Sequence, residues 1–213
     1  MTRAERAAAL VETLPRVYPD AHCELDYRDP LELLVATILS AQCTDKRVNI
    51  VTRELFRVCQ NAADYVALPQ EQLEDLVKST GFFRAKAKNI KACCAALVAQ
   101  HRGEVPRTMD ALTALAGVGR KTANVLLGNA FGINVGVVVD THVQRLSTRL
   151  GLTKQTDPVK IEQDLVKLIP REKWTLFSHW LIWHGRRRCI ARKPDCPGCE
   201  LRTLCPSADK AVA

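Results

Sequence analysis

The sequence has no apolar run approaching the roughly 20 residues needed to cross a bilayer, so no transmembrane helix is expected. Met1-Thr2-Arg3-Ala4-Glu5-Arg6 leads into mixed charged and apolar residues without the core of a signal peptide, which predicts a cytoplasmic protein. No linker or low-complexity stretch marks a boundary before the tail. Only Val135 to Val139 has β character, and five residues suffice for a buried connector but not for a sheet. Disulfide usage is also missing, although nine cysteines are present. Cys23, Cys43, Cys59, Cys93 and Cys94 are scattered through apolar surroundings and are expected to act as small buried hydrophobes. The other four crowd into the last 25 residues.

What remains is a helical pattern carried by a basic chain. At 213 residues it can bury a good core as one domain or two small ones. Its net charge of +8 and pI near 9.1 suit a polyanionic partner such as nucleic acid, or simply a basic soluble protein. Asp29-Pro30-Leu31-Glu32 reads as an N-cap, a first-turn proline and an N3 glutamate. Leu31, Leu34, Val35, Ile38 and Leu39 then recur at helical spacing. After a break at residues 40–45, Thr44 or Asp45 is expected to cap a helix running to about Val58. Further helices are predicted over 70–78, 84–100, 110–116, 120–131, 141–150, 158–168 and 172–184, with Gly81 as a C′ glycine between the first two of these. The fold class is all-α.

Cys189, Cys196, Cys199 and Cys205 give the spacing C-x6-C-x2-C-x5-C. Four thiolates suit tetrahedral zinc or an iron–sulfur cube. Zinc ribbons pair two C-x2-C knuckles and only one is present, so the looser spacing favours the polynuclear 4Fe–4S centre. The segments Ile190 to Asp195 and Glu200 to Leu204 are too short and polar to bury a core, which calls for a metal staple. Arg186, Arg187, Arg188, Arg192 and Lys193 surround the first ligand. They can soften the charge of an anionic cluster, and Arg192 and Lys193 on a fixed loop can also be presented to phosphates.

The densest signal is Leu115-Ala116-Gly117-Val118-Gly119-Arg120-Lys121 between two predicted helices. Two glycines one residue apart let backbone approach another molecule closely, and the N–H groups opening the next helix form an anion-binding concavity. Lys121 falls at the positive end of that helix, where a lysine is electrostatically misplaced. It can clamp a phosphate or act as a nucleophile. An amine attacks only when neutral, and the helix end, Arg120 and desolvation by a docked substrate all favour that form. Asp140 ends the apolar run Val137-Val138-Val139 and precedes Thr141-His142-Val143. It is either an ordinary N-cap or a stiffly held carboxylate able to take a proton or stabilise a positive sugar-like transition state. Thr80-Gly81-Phe82-Phe83-Arg84-Ala85-Lys86 is a weak echo of the glycine hairpin, lacking its second glycine.

These motifs, in this order, resemble the endonuclease III family of bifunctional DNA glycosylases in the helix-hairpin-helix, Gly/Pro-Asp superfamily. The likeness runs over essentially the whole chain, and Leu39-Ser40-Ala41-Gln42-Cys43-Thr44-Asp45 and Thr80-Gly81 also fit it. The resemblance implies two helical domains flanking a DNA-binding cleft: a six-helix barrel over 23–133, and a discontinuous cluster domain of 1–22 plus 134–213, with Lys121 and Asp140 facing each other at the mouth. It implies a monomer acting on damaged double-stranded DNA at the nucleoid, with no membrane partner. The implied substrate is an oxidised or ring-saturated pyrimidine, flipped out of the stack. Lys121 attacks the sugar C1′, Asp140 assists, and the Schiff base cuts the strand by β-elimination. Gly117, Val118 and Gly119 hold a phosphate through backbone N–H groups, with Arg120, Arg192 and Lys193 as further DNA contacts. Gln42, Phe82 and His142 match positions that fill the space of the flipped base or contact its orphaned partner. Loop polarity, core packing and a helix-start hydrogen bond are their plainer explanations. Phe82 departs from the smaller aliphatic wedge common there, and an aromatic ring can stack as well as plug. Two alternatives stand beside this one. The adenine-mismatch branch generally lacks a lysine at the position of Lys121 and adds a C-terminal domain, whereas this sequence ends eight residues after Cys205. A non-catalytic, metal-stapled DNA-binding module is the other.

Overall fold

The computed structural model describes residues 1–207, so 208–213 of the expected cluster domain lie outside the described residues. Among the described residues there are α-helices and two short 3-10 turns but no strand. The chain divides into two compact units. One is Cys23–Ile133, and the other joins Met1–His22 to the segment beginning at Asn134.

The Cys23–Ile133 unit holds α1 (Pro30–Leu39), α2 (Asp45–Val58), α3 (Ala62–Ala67), α4 (Gln70–Val77), α5 (Phe83–His101), α6 (Met109–Thr113) and α7 (Arg120–Phe131). This is one helix more than six: α3, of six residues, is too short for periodicity to register, whereas α6 falls on the helix expected over 110–116 and ends three residues earlier. Capping chemistry sets most of the starts. Asp29 accepts from the Glu32 N–H at 2.8 Å, and Thr44 from the Arg47 N–H at 3.3 Å. Glu32 does not close a reciprocal capping box. Its carboxylate accepts instead from the Arg28 N–H at 2.6 Å and from the Arg28 guanidinium. The central helix is α5, which packs against α1, α3 and α4 through Ala87, Ile90, Cys93, Cys94 and Leu97. Cys59, Cys93 and Cys94 are buried as expected, but Cys23 and Cys43 are only half-buried. Gly81 does not adopt the left-handed helical C′ conformation. It has φ 71° with an extended ψ of 155°, and Phe82 takes the left-handed helical position after it.

The second unit is built from α8 (Arg3–Val17), placed first in the chain, and α9 (Thr141–Arg149), α10 (Pro158–Val166) and α11 (Trp174–Arg187). Thr2 and Glu5 form a capping box at the start of α8. One core joins Leu10 and Leu14 of α8, Val143 and Leu146 of α9, Ile161 and Leu165 of α10, and Phe177 and Leu181 of α11. Val137 and Val139 of the apolar connector enter the same core. So does Leu201, which is fully buried, with Cys189, Cys199, Leu204 and Cys205 packed against it. The terminal loop therefore does contribute to a core, contrary to its polar composition, because Leu201 and Leu204 turn inward while Ile190 stays exposed. Burying a leucine of this kind stabilises by about 1.5–3 kcal/mol.

His179 on α11 is buried, and burial, then the neighbouring His22 and Arg186 charges, push its imidazole down from 6.5 to about 4. Between those two values the unfolded chain binds the proton and the folded one does not, so this contribution is present above pH 6.5 and is lost as pH falls toward 4. Melting curves recorded from pH 7 to pH 4 should therefore show falling stability, with a shallower fall in His179→Gln.

Candidate functional site

The glycine hairpin is built by ordinary turn bonds. Leu115 N–H donates to Leu112 O at 3.1 Å, and Val118 N–H to Leu115 O at 3.2 Å. Buried Leu115 and Val118 side chains anchor it. The two glycines have different reasons to be there. Gly117 has φ 76°, and a Cβ on it would lie 3.0 Å from the Asn89 Cβ of α5. Gly119 has ordinary extended angles, φ −92° and ψ 176°, and a Cβ there would meet nothing within 4 Å. Nothing inside the chain requires glycine at 119, so the missing side chain leaves room for something outside it. Gly119 is also the N-cap of α7, and no side chain caps that helix. A helix start without a side-chain cap, at the positive end of the helix, is the kind of place that receives phosphate. Val118 has already donated its N–H within the hairpin, which shifts the expected phosphate contact toward Gly119 and the first turn of α7. Arg120 and Lys121 are exposed on that turn.

Asp140 is a true N-cap: its Oδ1 accepts from the Val143 N–H at 2.8 Å. The buried Val137–Val139 run fixes the approach, helped by Val138 N–H donating to Ser178 Oγ at 3.0 Å. The carboxylate is half-buried at the start of α9, so the cap does not hide it. His142, two residues on, places Nδ1 3.3 Å from Arg145 Nη2. Burial pushes its imidazole below the ordinary value, Asp140 opposes this, and Arg145 and Arg186 add to it. A largely neutral His142 suits a hydrogen-bonding role more than a charged one.

Cys189, Cys196, Cys199 and Cys205 line one cavity with Leu146, Leu150 and Leu201. Long-range bonds hold the thiols. Arg149 Nη1 donates to Cys189 Sγ at 3.3 Å and to Ile190 O at 2.8 Å. Arg145 Nη2 donates to Gly185 O and Cys189 O, both at 2.9 Å, tying α9 to the start of the loop. His184 Nε2 lies 3.5 Å from Cys199 Sγ, and its Nδ1 is 2.8 Å from Tyr18 Oη. Arg188 lines the same cavity and pairs with Asp195 at 2.8 Å and Glu200 at 3.1 Å, so it ties the loop together. Among the described residues, no three His, Cys, Asp or Glu side chains converge on a point suited to one metal ion. Sequence reading missed Arg145 and Arg149, whose partners lie some 40 residues away. Arg192 and Lys193 are exposed, as expected for charge carried outward.

Among the described residues, four non-glycine residues have positive φ: Gln42 at 54°, Phe82 at 48°, Arg102 at 56° and Lys193 at 55°. Three of them are candidate DNA-contact residues, and such conformations cost of order 1–3 kcal/mol each. Phe82 is 67% exposed, which removes core packing as its explanation. Gln42 is exposed too. Lys121 belongs to the Cys23–Ile133 unit, with Gln42 and Phe82, and Asp140 to the other, with His142 and the cysteines.

An all-helical chain with an uncapped glycine hairpin and a four-cysteine loop defines a class, and the comparisons agree with it. The family model described as HhH-GPD superfamily base excision DNA repair protein matches residues 35–171. Endonuclease III of Synechocystis sp. is 55% identical over 207 residues, covering 97% of this chain and 94% of that protein. Endonuclease III of Escherichia coli is 41% identical over 210 residues, covering 99% of each. Two solved structures superpose closely. A non-covalent Endonuclease III–DNA complex gives a TM-score of 0.93 at 46% identity, covering 100% of this chain and 99% of that one. A trapped Endonuclease III–DNA covalent intermediate gives 0.94 at 45%, covering 100% of both. The chain belongs to the HhH-GPD superfamily of base excision DNA repair proteins and, within it, to the endonuclease III family.

The two hairpin glycines separate by substitution. Gly119→Ala should leave the melting temperature within the range of an ordinary surface change, about 0.5 kcal/mol, because its backbone is relaxed and its surroundings open. Its affinity for duplex DNA, measured by anisotropy, should fall about tenfold, or ~1.4 kcal/mol. Gly117→Ala should instead destabilise the fold by at least about 1–2 kcal/mol.

Proposed function

We infer that this protein is a base-excision DNA glycosylase that removes oxidised pyrimidines from duplex DNA and then cleaves the strand as an AP lyase. The observation that carries the reading is Lys121, an exposed amine on the first turn of a helix whose cap is a glycine with nothing against it. Membership of a family that includes an Endonuclease III trapped covalently on DNA supports a nucleophilic amine over a simple clamp.

The mechanism follows from what each group can do. A backbone phosphate received at Gly119 and the start of α7 brings the strand against Lys121. Gln42 and Phe82 occupy the space of the extruded nucleotide, with His142 at the orphaned base. The Lys121 amine then attacks C1′ while the C1′–N bond breaks and the base leaves with the electron pair and a proton. Asp140 accepts the ammonium proton or stabilises the positive charge developing on the sugar. Ring opening gives an iminium between Lys121 Nζ and C1′, which acidifies the C2′ hydrogen. Loss of that proton expels the 3′ phosphate as the C3′–O bond breaks. Hydrolysis of the imine releases Lys121.

Cys189, Cys196, Cys199 and Cys205 fit a 4Fe–4S cluster. Their thiols line a common cavity, and the single C-x2-C knuckle within the C-x6-C-x2-C-x5-C spacing suits a polynuclear centre better than zinc. When bound, the cluster supplies four covalent ties that hold residues 189–205 against the core of their unit. The chain's own contribution is Arg149 beside the Cys189 sulfur and His184 beside Cys199. Arg192 and Lys193 then extend from a fixed loop toward phosphates.

Asn caps a helix about as well as Asp, so Asp140→Asn separates the two roles of that residue. The variant should melt with wild type yet lose base excision by about 10²–10⁴-fold in single-turnover assays. Lys121→Ala should give no borohydride-trapped adduct on an oxidised-pyrimidine duplex, and undiminished trapping would sink the Schiff-base reading. Purified protein should be yellow-brown and contain iron. Stripping the metal should lower the melting temperature and the DNA affinity together, whereas colourless protein with stoichiometric zinc would overturn the cluster assignment.

A further inference from the structure

Lys86 lies on the first turn of α5, at the positive end of the helix, where a lysine is electrostatically unfavourable. It is also buried, with only 4% of its surface exposed. Burial pushes its amine below the ordinary lysine value, with Cys43 opposing. Its two acceptors are main-chain carbonyls from separate parts of the chain. Nζ donates to Leu39 O at 2.8 Å and to Thr80 O at 2.7 Å. Leu39 is the last residue of α1, just ahead of the turn that carries Gln42, and Thr80 ends the 3-10 turn just ahead of Gly81 and Phe82. Each of these turns holds a non-glycine residue at positive φ: Gln42 at 54° and Phe82 at 48°. Left-handed residues of this kind persist only where the surroundings over-determine them. Local bonds supply part of that constraint: Cys43 N–H donates to Ser40 O at 3.1 Å, and Thr80 Oγ1 to Val77 O at 2.8 Å. Neither bond links one turn to the other. The Lys86 ammonium does.

We propose that Lys86 is a positioning residue that fixes the Gln42 and Phe82 turns as one preformed wedge, so that it governs extrusion of the damaged nucleotide and not the bond chemistry at the sugar. The proposal rests on the glycosylase reading above. Three features favour it over plain structural support. An ammonium in a buried site costs more than an apolar side chain of the same length, so stability alone does not select it. Both acceptors precede the exposed residues by two or three positions, so the bonds act where the turns leave the fold. Finally, Phe82 is the most exposed large aromatic side chain among the described residues, and an exposed ring needs a fixed base to push against a base pair.

The test uses the full-length protein and two duplexes. One carries an oxidised pyrimidine in a paired site, and the other a preformed abasic site opposite an abasic analogue, where nothing has to be unpaired or unstacked. Lys86→Met should slow excision on the first by about tenfold to a hundredfold and leave borohydride trapping on the second near wild type. The fluorescence rise of a 2-aminopurine beside the lesion, which reports unstacking, should diminish in parallel. Adding Phe82→Ala to Lys86→Met should cost little beyond the worse single variant, since both act on one wedge. Equal losses on the two duplexes, or full excision on the first, would overturn the proposal. If Lys86→Met does not fold, Lys86→Gln, which keeps an amide donor, replaces it. Unfolding of both variants at the assay temperature makes Lys86 a stability element and also overturns the proposal. A wild-type protein inactive on both duplexes would refute the glycosylase reading instead, so the two failures are distinguishable.

Discussion

The start of α7 is left without a side-chain cap because Gly119 has no side chain with which to supply one, and the proposed DNA contact depends on that omission. Seven of the other helices begin under a side-chain cap, from Thr2, Asp29, Thr44, Asn61, Thr108, Asp140 or Asp157. A capped helix satisfies its own first N–H groups and offers little to an anion. An uncapped one keeps those donors for a partner, at a cost to its own stability. Lys121 shares that turn, so whatever phosphate settles there brings the backbone of the polyanion to the amine. In the proposed mechanism, anion binding and nucleophile delivery thus arise from one omission.

Strain is distributed by the same logic. Gln42, Phe82 and Lys193 each sit at positive φ without being glycine, and each stands on an exposed turn. Ordinary folding offers no reward for that geometry. It is tolerated because groups behind each turn are tightly bonded: buried Lys86 to two carbonyls in one unit, and the partly exposed Arg145, Arg149 and Arg188 around the cysteine loop in the other. Cations recur as the fastening because each carries several donors and so can bind carbonyls from more than one segment.

Much of this was legible in the chain. The Asp29-Pro30 start, the Thr44 cap, the break at 40–45 and the Arg120–Phe131 helix rest on interactions within four residues, so local pattern sufficed. Asp140 as a cap, the apolar approach to it and the four-cysteine spacing were equally readable. The helix at 62–67 escaped notice, because six residues give too few turns for a period. The Leu201 burial escaped because one leucine in a polar loop carries no periodicity at all.

By itself the sequence determined the longer helices, the caps at Asp29, Thr44 and Asp140, and the spacing of the four terminal cysteines. Each follows from residue type and near neighbours. Tertiary structure alone decided which carbonyls a buried lysine would meet, 6 and 47 residues away, and that a Cβ at Gly117 would press on Asn89 while one at Gly119 would meet nothing within 4 Å. It also decided that Arg149 would reach a sulfur 40 positions distant. Hydrogen bonds and close packing act over a few ångströms of space whatever the separation along the chain, so only the folded backbone can say which distant groups fall within that range.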